Sequence, residues 1–98
     1  MENAKKKERV MGSNEFSLLL QDVVLRDPGG MRNVAFKLGK TQASLLRELN
    51  PHDRRAKLGV ETLLRLMEVC HDVRPLEYMA GKLGMRLEML PKGEERGN

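Results

Sequence analysis

The chain predicts an all-α fold of five short helices, and three observations carry that prediction. Apolar residues recur at helical spacing in successive segments, glycine and proline fall between those segments, and outside residues 83–89 no stretch alternates apolar and polar residues as a half-buried strand does. Ninety-eight residues suit one domain with a single modest core. That domain is expected over residues 13–90, between a flexible basic N-terminal tail at 1–12 and a C-terminal tail, PKGEERGN, at 91–98.

The first helix is expected over residues 14–26, where Phe16, Leu19, Leu20, Val23 and Val24 follow at i, i+3, i+4, i+7 and i+8 and make one core-facing stripe. Asp27-Pro28-Gly29-Gly30 stops it, because proline pushes the residue before it toward extended angles and glycine is costly inside a helix. Residues 31–50, MRNVAFKLGKTQASLLRELN, then read as two helices broken by one glycine, the pattern of a helix-turn-helix. Val34, Ala35, Leu38, Leu45 and Leu49 are its apolar positions. Ala35 is small where the helices cross, Gly39 can take the left-handed angle that closes the turn, and Thr41 can cap the second helix. Two residues depart from the pattern: Lys40 follows the turn glycine, and Glu48 lies near the end where a small or apolar residue is usual. Each is tolerated if its charge reaches outward along its own stem. The plainer reading is an ordinary helical hairpin.

Asn50-Pro51 ends the third helix, and PHDRRAKLG crosses the surface as a basic loop. A fourth helix is expected over 60–71, with Val60, Leu63, Leu64, Met67 and Cys70 or His71 inward. The fifth starts with Pro75 in its first turn, carries the stripe Leu76, Met79, Ala80 and Leu83, and ends at Gly84. Met85, Leu87, Met89 and Leu90 form a last apolar patch that extends the fifth helix, covers the core or meets another subunit.

The net charge of +4 is unevenly spread. Residues 31–57 hold seven Lys/Arg against two Asp/Glu, whereas residues 58–98 hold six against seven. The excess therefore coincides with the helix pair and its loop, as expected of a face that neutralises phosphates; a solvated basic face is the plainer alternative. Only Phe16, Phe36 and Tyr78 are aromatic, which argues against binding single strands by base stacking.

With double-stranded DNA as partner, the second helix of the pair enters the major groove. Thr41, Gln42, Ala43, Leu46 and Arg47 are its base-reading candidates, Gln42 suiting adenine and Arg47 guanine. Arg32, Lys37, Lys40, Ser44, Arg54, Arg55 and Lys57 are the phosphate candidates. Lys5, Lys6, Lys7 and Arg9 form either a basic arm or a solubilising tail. One such motif buries little surface, so a homo-oligomer on paired half-sites is expected, with Met85, Leu87, Met89 and Leu90 as its candidate contacts.

Enzyme and metal readings lack support: neither His-x-x-x-His nor Cys-x-x-Cys occurs, and Cys70 suits a small core position. No cofactor is expected. A lone cysteine, no apolar run of membrane-spanning length and an N-terminus without a signal-peptide core point to a cytoplasmic protein.

From Leu18 to Leu87 the chain resembles the phage regulatory protein CII family. The motifs that carry the resemblance are LLRELNP, AKLGVETLLRLMEV and DVRPLEYMAGKLG: a helix-turn-helix ending in Leu49-Asn50-Pro51, a basic loop through Lys57, and two helices closing on Ala80-x-x-Leu83-Gly84. The resemblance implies a compact five-helix domain of the lambda-repressor type and a DNA-binding regulator of the lysis–lysogeny decision. It leans toward activation, which would add RNA polymerase as a partner. The competing reading is a protein-interaction module, antitoxin-like or scaffold, for which Leu46 on the outer face is the suggestive residue.

Overall fold

The computed structural model describes residues 15–53 and 55–91, and over these the chain is all-helical: five helices and no strand. Helix α1 spans 15–26, α2 Gly30–Leu38, α3 Gln42–Leu49, α4 Val60–Cys70 and α5 Arg74–Lys82. The tail residues 1–12, with Lys5, Lys6, Lys7 and Arg9, lie outside the described residues, as do Arg54 and residues 92–98.

Between α1 and α2 the chain turns on Asp27. Its Oδ2 accepts hydrogen bonds from Gly29 N at 3.0 Å and Asn33 Nδ2 at 3.2 Å, and its carbonyl accepts from Gly30 N at 2.9 Å. Helix α2 ends at Gly39, whose φ of +73° lets Gly39 N donate to Phe36 O (3.0 Å) and Lys40 N to Ala35 O (2.9 Å). This closed ending satisfies carbonyls that a helix terminus otherwise leaves bare. Three residues, Gly39 to Thr41, connect to α3. Thr41 is extended, and its Oγ1 accepts from Ser44 N at 3.0 Å, the cap expected of it.

The core gathers one stripe from each of the first four helices: Leu20, Val23 and Val24, then Val34, Ala35 and Leu38, then Leu45 and Leu49, then Leu66. Phe16, Leu19, Met31, Leu58, Leu63, Val69 and Cys70 pack around it. All five apolar positions expected of the helix pair are therefore buried.

Helix α4 faces the core differently from the expectation. Val60 is 83% and Leu64 54% exposed, while Leu66 and Met67 are buried and Leu63 and Cys70 half-buried. The helix carries apolar residues at 63, 64, 66, 67, 69 and 70, a band wide enough to admit two faces, and packing against α2 selects the one centred on Leu66. It also stops at Cys70, because His71 adopts the left-handed conformation (φ +53°) and its N–H returns to Met67 O.

Helix α5 likewise buries Pro75 and Ala80 and leaves Leu76 and Leu83 exposed, so the expected stripe is only partly the buried one. Its ties to α1 are specific: Arg74 Nη1 reaches Asp22 Oδ2 at 2.9 Å, and the Tyr78 ring stacks on Phe16 with centroids 5.3 Å apart. Gly84 (φ +77°) closes it through Met85 N to Ala80 O at 2.8 Å. Residues 85–91 do not extend the helix. Leu87, Met89 and Leu90 instead line a cleft of about 290 Å³ with Val73 and Leu76.

Candidate nucleic-acid interface

Helix α3 owes its orientation to Leu45 and Leu49, which are fully buried and hold one side of it against α1 and α2. At about 100° per residue, Arg47 falls nearly opposite the midpoint of these two leucines, with Ala43 and Ser44 to either side. Thr41, Gln42, Ala43, Leu46 and Arg47 are all exposed, and Ser44 is half-buried. The Thr41 hydroxyl oxygen accepts the bond that caps α3, which leaves its O–H as a donor at the exposed helix end.

Two ion pairs organise the charge around this helix. Lys40 Nζ meets Glu48 Oε2 at 3.0 Å, with side chains only 24% and 16% exposed. The two residues that depart from the sequence pattern thus compensate each other, where each was expected to reach outward. Glu48 Oε1 is buried without a partner. The second pair joins α3 to the basic loop: Arg47 Nε donates to Asp53 Oδ2 at 3.1 Å, while Asp53 Oδ1 accepts from Arg55 N (3.0 Å) and Ala56 N (3.3 Å). The Arg47 guanidinium, helped by the Arg55 N–H, holds the Asp53 carboxyl below its ordinary range.

Both acidic residues of the 31–57 segment are therefore spent on its own cations. Arg32, Lys37, Arg55 and Lys57 are exposed and have no acidic partner among the described residues. Arg32 and Lys37 belong to α2 and Arg55 and Lys57 to the loop; Arg54 is not described. Lys37 also presents its carbonyl at the end of α2 to Arg65 Nη2 of α4 at 3.0 Å.

An apolar cleft of about 390 Å³ adjoins α3, lined by Gln21 and Leu25 of α1, Met31 of α2, and Leu46, Arg47, Leu49 and Asn50. Its floor is fixed by Gln21 Nε2, which donates to Leu49 O at 2.9 Å.

Sequence reasoning missed two residues here. Phe36 is 80% exposed on α2, and its position nearly opposite the Val34, Ala35 and Leu38 stripe is the signal that could have found it. Asp53 binds Arg47 across the end of α3 at a spacing of six residues, which no helical periodicity signals; its sequence sign is the Asx-turn pattern of Asp-Arg-Arg-Ala.

Among the described residues no group of His, Cys, Asp and Glu is placed to hold a metal ion, and no helix is long and apolar enough to cross a membrane. The Cys70 thiol is pushed up to about 11, mainly by burial, so it is not primed as a nucleophile. No curated protein and no solved structure matches the chain. The family model described as Phage regulatory protein CII (CP76) matches residues 14–98. By that match, over nearly all of its length, the chain belongs to the phage regulatory protein CII family.

Proposed function

We propose that this regulatory protein is a sequence-specific double-stranded DNA-binding transcription regulator, of phage or prophage origin, acting in the lysis–lysogeny decision from the cytoplasm. The observation that carries the reading is the placement of Arg47: exposed, opposite the buried face of α3, on a helix that follows a closed glycine turn. A helix so held presents Arg47 and Ala43 on its outer side to the major groove, where Arg47 suits guanine and Ala43 a thymine methyl. Leu46 lies at the margin of that face, and Gln42, on the angular side of Leu45 and Leu49, reaches adenine from the exposed first turn of the helix. Thr41 and Ser44 border that face. Arg32, Lys37, Arg55 and Lys57, with Arg54, supply the phosphate-neutralising charge that sets register and affinity. Lys40 contributes less, because Glu48 already neutralises it.

The DNA-binding unit corresponds to residues 13–90. It acts as a homo-oligomer on repeated half-sites, with Met85, Leu87, Met89 and Leu90 in the contact between copies; all four are exposed. An activating role adds RNA polymerase as a further partner.

Selection of bound duplexes from a randomised pool tests this reading. The expected result is an enriched motif repeated at about one helical turn, roughly 10 base pairs, or a multiple of it. A pool that emerges unenriched contradicts it. The second reading, a protein-interaction module, is favoured by the cleft between Leu25, Met31 and Leu46, which offers apolar surface beside the same helix. Under that reading the pool stays unenriched and substitution of Leu46 leaves DNA binding unchanged.

A further inference from the structure

We infer that Asp53 is a positioning residue for base recognition, holding the Arg47 guanidinium by its Nε so that the two terminal nitrogens face the DNA; the inference rests on the DNA-binding reading above. A guanidinium presents five N–H donors in a rigid planar fork. In this structure Nε donates to Asp53 Oδ2 at 3.1 Å, and no partner engages Nη1 or Nη2 among the described residues. The edge that can pair with two acceptors of one guanine is therefore open, while the remaining donor is tethered.

The tether is itself anchored. Asp53 Oδ1 accepts from the backbone N–H groups of Arg55 and Ala56, and Asp53 N donates to Asn50 O at 3.1 Å. Two backbone N–H groups thus fix the carboxylate, a third bond holds the Asp53 backbone to the end of α3, and the carboxylate fixes a side chain that otherwise turns about several bonds. The Asp53 side chain is 22% exposed and that of Arg47 57%, so the anchor is sheltered and the reader is open. A carboxylate next to a phosphate-binding face also lowers affinity for any DNA. Its presence there exchanges general affinity for orientation, which raises discrimination.

The test uses the full chain and a duplex selected from a randomised pool, together with all its single-base-pair variants and a scrambled duplex. Asp53→Asn keeps the Oδ1 acceptor and removes the charge. The expected result is a loss of roughly 5- to 100-fold in discrimination at the same base pair that Arg47→Lys affects. Binding to the scrambled duplex stays equal or tightens, with a salt dependence steeper by about one phosphate contact. A merely structural Asp53 lowers binding to every duplex alike. In the Arg47→Lys background Asp53→Asn should change no base preference. Proton exchange of the Arg47 Nε–H in the unaltered protein is the second readout, expected to be slow both free and on the selected duplex. Retained preference at every base pair in Asp53→Asn, equal weakening on all duplexes, or fast Nε–H exchange overturns the assignment. Failure of the unaltered chain to select any sequence overturns the DNA-binding reading itself and this inference with it.

Discussion

Lys40 and Glu48, the two residues that fit the helix-pair pattern least, meet in an ion pair of 3.0 Å that bridges the turn and the last turn of α3. Both side chains are largely withdrawn from water and one Glu48 oxygen has no partner, so the pair is sensitive to the loss of either member. Lys40→Ala should cost about 1–3 kcal/mol in denaturant unfolding, because it leaves the buried carboxylate alone. Lys40→Met with Glu48→Leu should recover most of that loss. If Lys40→Ala leaves stability unchanged and instead lowers the salt dependence of DNA binding, Lys40 is a phosphate contact and the pair is incidental.

Gly39 carries the α2–α3 turn at φ +73°, and a Cβ added there meets nothing within 4 Å. Gly39→Ala therefore suffers backbone strain alone, expected at about 1–2 kcal/mol. Leu45→Ala, which empties a fully buried site at the junction of the helices, should cost about 2–5 kcal/mol. Equilibrium unfolding that ranked Gly39→Ala above Leu45→Ala would contradict this division between strain and packing.

Acid should loosen α5 from α1. Arg74 bonds to Asp72 and Asp22, and these hydrogen bonds hold both carboxyls below their ordinary value. A carboxyl whose folded value is depressed contributes stability above its unfolded value, near 4, and loses it as pH falls through the folded value. The contribution is thus complete at neutral pH and declines below about pH 4. Arg74→Gln should weaken this acid dependence in a series of thermal melts, and an identical profile in the variant would sink the assignment.

The proposed contact between copies lies at the C-terminal patch. Met89 is 92% exposed and Leu90 59%, so Met89→Lys and Leu90→Lys should leave folding intact. Light scattering should show the double variant shifted toward the monomer mass. An unchanged oligomer places the contact elsewhere.

Helices α1 to α3 were legible in the sequence because each has a narrow apolar stripe bounded by proline or glycine. Val34, Ala35, Leu38, Leu45 and Leu49 admit only one inward face, and Gly39 and Thr41 perform the turn and cap roles that their chemistry suggests. The inward face of α4 was not legible: its apolar residues cover too much of the circumference, and the choice between Leu64 and Leu66 is made by tertiary packing. Ends set by a left-handed His71 escape the glycine rule altogether. The charge pattern located the basic segment, but the pairings within it, Lys40 with Glu48 and Arg47 with Asp53, cross the boundaries of α3 at spacings of eight and six residues. Such contacts depend on where the loop returns, which only the folded chain specifies.

Base reading by α3 is decided by a salt series of binding to a selected duplex and to a scrambled one, for the unaltered chain, Gln42→Ala and Arg47→Ala. The expected result is tighter binding to the selected duplex, a steep fall of both affinities with salt, and loss of the preference by about 1–3 kcal/mol in each variant with scrambled binding little changed. Equal weak binding to both duplexes, matched by both variants, would contradict base reading by α3 and leave the Leu25, Met31 and Leu46 cleft as the functional surface.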